Sequence, residues 1–256
     1  MDIDFKLSTL VAIGFIVLIV IIVLIRIKFT PDEQFPVFLA QTQQPLVVSR
    51  QTPSSQVERE LPPFRTGDCV FVSYRSLRGK LVKVFTGSMW SHMGMIYKKA
   101  DGSAFVIEAV FYDYDQHGVL QTPLYEWLHY NRKRTLAWLP KLGPAIPDSE
   151  VDRVFDLVKD ADMDTFVINW LKAVVNRQYH PEHKTEFYCS ELVATLFQEL
   201  NVIKKELMPS SYSPKSFMLR KIPCYMNHEF DEPQVFHVPN SLKPNDSRSI
   251  CPLRPN

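Results

Sequence analysis

A chain of 256 residues, 46% of them hydrophobic, is long enough to bury one good core, and a single globular domain is expected. Its 29 Lys and Arg nearly cancel 28 Asp and Glu, so no strong basic field exists to hold a polyanion, and nucleic-acid binding is not expected. The chain is neither acidic nor poor in aromatics, which excludes a disordered composition.

The first element is an almost purely apolar run from Leu7 to Ile25, interrupted only by Ser8, Thr9 and Gly14. At about 1.5 Å per residue, a helix of this length matches the hydrocarbon core of a bilayer. The leading MDIDFK lacks the net positive charge of a signal peptide, and no small-x-small site follows directly, so residues 1–29 are predicted to be an uncleaved transmembrane anchor. Arg26 and Lys28 follow the span, which by the positive-inside rule puts the large C-terminal part on the cytosolic side. Residues 30–66 contain Pro31, Pro36, Pro45, Pro53, Pro62 and Pro63 in a Gln/Thr/Ser-rich stretch without periodicity, the composition of an extended tether.

A domain is predicted over residues 67–222. Asp68 to Tyr74 reads as a strand. His92 to Lys98 and Ala104 to Val110 read as an antiparallel pair joined by the Asp101-Gly102 turn. Pro123 to Tyr130 opens with proline and continues as a short helix, and Arg132 to Leu139 alternates toward a further strand. From Asp148 the apolar spacing becomes helical, with Asp148 or Ser149 as the expected cap. Thr165 to Asn176 is predicted as a second helix, and Thr185 to Leu200 as a third with Leu192, Val193, Leu196, Phe197 and Leu200 in one stripe. Strands first and helices last give an α+β class. Residues 223–256 are again Pro-rich and read as a wrapped arm or a disordered tail.

The four cysteines, Cys69, Cys189, Cys224 and Cys251, stand far apart and none has zinc-ligand spacing. Free thiols in a reducing compartment are therefore expected, with no metal site. Cys189 differs from the others because it falls near the start of a predicted helix. Unpaired N–H groups and the helix dipole stabilise a thiolate there. Such a nucleophile needs an imidazole to take its proton and a third group to hold that imidazole. Among seven histidines, His92 stands at a strand start behind a turn-like approach, Gly87 to Ser91, with small Gly94 beyond it. His180 and His183, just before the cysteine helix, are its rivals. Glu108 interrupts the apolar strand FVIEAV, and a carboxylate in that setting requires a partner on a neighbouring strand.

The blocks TGSMWSHMGMIY, VIEA, GV followed by LQTPLYEWL, YCSELVATLF and a later SP segment resemble the YiiX/YaeF-type permuted papain-like amidases. These belong to the NlpC-related papain-like superfamily, which includes lecithin–retinol acyltransferase-like enzymes and poxviral members. The resemblance runs from about Gly67 to Leu219. It implies a circularly permuted papain-like, NlpC-like domain, an antiparallel sheet with packed helices, in which the histidine strand precedes the cysteine helix. Carried over by motif, Cys189 is the nucleophile, His92 the base and Glu108 the third member. Tyr179 matches the tyrosine of a turn before the cysteine helix, although the small residues usual there are absent from Asn176 to His180. Ser91 and Tyr188, inside the matching blocks, are the further expected substrate contacts. The chemistry implied is acyl transfer from an amide or ester through a thioester, with no metal or organic cofactor. The expected partners are the bilayer, through residues 7–25, and a peptide or lipid substrate. A lipid acyltransferase or phospholipase of the same fold is the neighbouring expectation. A non-enzymatic virion or membrane module is another, with a virion or host membrane as the location the poxviral likeness implies.

Overall fold

The structure, a computed structural model, describes residues 61–113, 116–163 and 186–239. The Leu7–Ile25 run, most of the tether, the helix expected over Thr165–Asn176, Tyr179, His180, His183 and Cys251 lie outside the described residues. Among the described residues no helix is long and apolar enough to cross a membrane.

The centre is a six-stranded antiparallel sheet in the order β10-β5-β1-β2-β3-β4. Its strands are β1 (Cys69–Ser73), β2 (His92–Lys98), β3 (Ala104–Asp113), β4 (Gln116–Pro123), β5 (Thr135–Leu139) and β10 (Gln234–Phe236). Among the described residues five α-helices accompany it: α1 (Leu77–Thr86), α2 (Leu124–Asn131), α3 (Asp148–Val158), α4 (Cys189–Glu199) and α5 (Pro214–Met218).

Both faces of the sheet are covered, so β1 and β2 are buried on alternate and intervening residues alike. On one face Phe71, Met93, Met95, Ile107 and Leu139 pack against Leu192, Val193, Leu196 and Phe197 of α4. On the other, Val70, Val72, Ile96, Val106 and Leu136 meet Leu124, Trp127 and Leu128 of α2. Each fully buried aliphatic or aromatic side chain contributes about 1.5–3 kcal/mol, which fixes both helices to the sheet.

The strand pair β2–β3 closes as expected, with Gly102 at positive φ in its turn. Three differences, and one choice between stated alternatives, have local causes. The helix expected from Thr185 begins only at Cys189, because Glu186–Phe187 (β8) pairs in parallel with Asp162–Met163 (β7). Pro147, not Asp148 or Ser149, is the N-cap of α3, and the Asp148 carboxylate instead accepts from the Ala100 N–H at 2.9 Å. Helix α1 was hidden by Gly79 in its first turn. It is set by its ends: the Ser76 side chain caps one and left-handed Gly87 the other. Finally, the Pro-rich tail is a wrapped arm as far as residue 239. Glu229–Phe230 (β9) pairs with Lys141–Leu142 (β6), and β10 adds an edge strand beside β5.

Candidate active site

Cys189 is the first residue of α4 and is buried. Tyr188 stands at the N-cap in extended conformation and makes no side-chain capping bond, so the first N–H groups of the helix remain open toward the sulfur. The thiol is hydrogen-bonded to His92 and to the backbone N–H groups of Met93 and Ser190. Burial alone would raise its pKa. The His92 hydrogen bond and charge, with the two backbone donors, outweigh that and hold Cys189 below the ordinary thiol value.

His92 is the first residue of β2, opposite Val72 of β1. Its Nε2 lies 2.7 Å from Glu108 Oε2, which leaves Nδ1 as the nitrogen available to Cys189. Burial pulls the imidazole down, but the hydrogen bonds and charges of Cys189 and Glu108 more than offset this and lift it to about 10. The two opposite shifts run in the directions that favour a thiolate–imidazolium pair.

Glu108 is completely buried in the middle of β3. Besides the His92 contact, its Oε2 accepts from Trp127 Nε1–H at 2.9 Å and its Oε1 from the Thr122 hydroxyl at 3.0 Å. A carboxylate without solvent thus has donors from β2, β4 and α2.

The backbone makes this convergence possible. In the β2–β3 register Met95 faces Ile107, which sets Gly94 beside Glu108 and His92 one diagonal away on the same face. A Cβ at Gly94 would come within 2.5 Å of Val106 Cγ1 and 3.3 Å of Glu108 Cβ. Only glycine leaves the space across which the imidazole reaches the carboxylate. Cys189 approaches from the other core, so the three residues meet at the open start of β2 rather than on one face of the sheet.

The Ser91 hydroxyl donates to Val72 O at 3.2 Å and accepts from the Tyr74 N–H at 2.8 Å, tying the start of β2 to the end of β1. The Tyr188 hydroxyl donates to the Ser210 carbonyl, and the Ser190 hydroxyl to the Tyr212 carbonyl at 2.9 Å. Both Ser91 and Tyr188 are buried in internal bonds that shape the site's walls. Among the other described histidines, His117 pairs with Asp162 and His129 with Arg132.

Three residues of the site escaped the sequence reading: Thr122, Trp127 and Tyr74. The first two lie in the LQTPLYEWL block, where a signal existed. A buried indole needs an acceptor and a buried carboxylate needs donors, so Trp127 and Glu108 are complementary requirements. Tyr74 has its ring tilted against His92, with 5.6 Å between centroids, and no periodicity could have shown this. Among the described residues no three His, Cys, Asp or Glu side chains gather in a way that could hold a metal ion.

Residues 63–216, more than half of the chain, match the family described as permuted papain-like amidase enzyme, YaeF/YiiX, C92. The chain belongs to that family. Among solved structures, five chains match. One is described as the metalloprotein yiiX from Escherichia coli O157:H7, at 22% identity over 65% of this chain and 87% of that one, with a TM-score of 0.36. No curated protein matches. Membership makes the chain a hydrolase of the amidase type, for which an amide bond is the implied substrate. The permuted order is visible in the fold, where the His92 strand precedes the Cys189 helix.

Proposed function

We propose that the chain is a cysteine hydrolase cleaving an amide or ester bond, with Cys189 as nucleophile, His92 as base and then acid, and Glu108 orienting the imidazole. The observation that carries this is His92 itself, bonded through Nε2 to a buried carboxylate and hydrogen-bonded to a thiol at a helix start. The thiolate attacks the substrate carbonyl carbon, and a C–S bond forms as the carbonyl π electrons move to oxygen. The open N–H groups at the start of α4 stabilise that oxyanion. Collapse expels the leaving group, which takes the proton from the imidazolium. His92 then takes a proton from water as the water oxygen attacks the thioester carbonyl; the C–S bond breaks, the acid leaves, and the thiolate is restored beside the imidazolium. Glu108 keeps one tautomer and one ring orientation throughout.

The test is iodoacetamide alkylation of Cys189, followed by peptide mass spectrometry across pH. Labelling should develop well below the ~8.5 of a free thiol, and His92→Ala should return the profile toward that value. A Cys189 profile centred at 8.5 in the parent protein would sink the scheme.

The same reading places the enzyme on a membrane through Leu7 to Ile25, with the domain on the cytosolic side. The chain should resist carbonate extraction, and release of a soluble form cleaved near residue 40 would contradict it. The anchor favours access to lipid esters as a second substrate class, and the extended tether of residues 30–66 equally suits soluble peptides.

A further inference from the structure

A cation is built into the wall beside His92 that the acyl-transfer scheme leaves unused. Arg134 follows α2, and its guanidinium lies over two rings at once, 4.8 Å from the centroid of Tyr74 and 4.7 Å from that of Tyr130. Its Nη1 donates to the Tyr130 carbonyl at 2.9 Å and to Asn131 Oδ1 at 2.8 Å. Asn131 is fully buried and donates through Nδ2 to the Trp127 carbonyl at 2.9 Å. The helix that holds Glu108 through Trp127 therefore holds Arg134 as well.

Four contacts remove most of the rotamer freedom that an arginine at a surface keeps. They use the ring-facing side and one nitrogen, leaving Nε and Nη2 without a partner among the described residues. No described carboxylate stands within ion-pair distance. The nearest acid along these contacts, Glu108, lies behind His92 and is taken by three donors. Arg75, Arg132 and Lys133, all exposed, add charge of the same sign on neighbouring segments. Tyr74 touches His92 on one side and Arg134 on the other, so the guanidinium lies within about 10 Å of the imidazole.

We propose that Arg134 is the anion-recognising residue of the substrate site, receiving a carboxylate or phosphate oxygen carried a few bonds from the scissile carbonyl. This rests on Cys189 being the nucleophile and adds a substrate class to it. A planar fork with a free edge, stacked on aromatics, suits a two-oxygen anion better than a flexible ammonium would.

The test compares two alkylating reagents of nearly equal size, anionic iodoacetate and neutral iodoacetamide, on the full-length protein at low salt. In each, the Cys189 thiolate displaces iodide and a C–S bond replaces C–I. The readout is the ratio of their rates at Cys189. A unit charge at this range changes the ratio on the order of fivefold, so Arg134→Gln should lower it by about that factor and Arg134→Lys by less. Added salt should erase the difference. Inorganic phosphate and acetate, each at matched ionic strength, then separate the two sources. The one that slows iodoacetate in the parent but not in Arg134→Gln names the anion. A ratio in Arg134→Gln within twofold of the parent's overturns the proposal, and so does an equal loss with both reagents. Failure of the nucleophile assignment shows separately, in the parent's iodoacetamide profile.

Discussion

The two ends of the Cys189–His92–Glu108 arrangement are held in different ways. At the sulfur, support beyond the shared His92 comes from the main chain: the N–H groups of Met93 and Ser190 and the open first turn of α4. At the carboxylate it comes from side chains: Thr122 from β4, Trp127 from α2 and His92 from β2. Main-chain donors persist under substitution, whereas side-chain donors vanish with a single one. His92 apart, the thiol end should therefore tolerate changes around it, and the carboxylate end should not.

Glu108→Gln should produce the largest effect of the variants that test this contrast. A Gln carbonyl can still accept from His92 and Trp127, and its amide can donate to the Thr122 hydroxyl, which then accepts. Packing and folding survive, but the negative charge is gone. That charge is one of the causes lifting His92 to about 10, so the alkaline limb of the activity profile should move toward lower pH. A weaker imidazolium also lowers the Cys189 pKa less, so the acid limb should move up. The active window narrows from both sides, and turnover at its centre should fall about 100-fold. A pH–rate profile and a melting curve on the same preparation check it. An unchanged alkaline limb would remove Glu108 from the mechanism.

How much of this was legible before folding follows the same division. The positions of His92, Glu108 and Cys189 were readable because each violates its surroundings: a histidine opening a strand, an acid inside FVIEAV, a cysteine at a helix start. The α4 stripe was readable because four of its five residues are fully buried on one face. The supports of Glu108 were not, since Thr122 and Trp127 are ordinary in their own elements and gain meaning only from the β3–β4 register and the docking of α2. The arm strand β10 was unreadable for a related reason. Three residues at a sheet edge carry no period, and pairing with β5 alone defines them.

Trp127→Phe should have a middle effect. It keeps the ring within the core formed with Leu124, Leu128 and Val106 but deletes the indole N–H that Glu108 Oε2 accepts. Losing one hydrogen bond to a buried charged group costs about 1–3 kcal/mol. Denaturant unfolding should register that loss. Turnover should fall severalfold with KM little changed, because the carboxylate remains but is less firmly placed. If stability drops while the pH profile and turnover stay as in the parent, Trp127 is only a core residue.

Ser190→Ala should have the smallest effect, and it examines the other end. The residue adjoins the nucleophile, and its hydroxyl donates to the Tyr212 carbonyl at 2.9 Å, fastening the Pro209–Ser211 turn against α4. What reaches the sulfur, however, is its backbone N–H, which alanine keeps. The substitution leaves the Tyr212 carbonyl without that donor at a cost of roughly 1 kcal/mol. It should leave the pH dependence of Cys189 alkylation where it was, despite lying one residue from the thiol. A shift of the alkylation profile toward the free-thiol value would mean that a side chain besides His92 supports the sulfur, and the contrast between the two ends would fail.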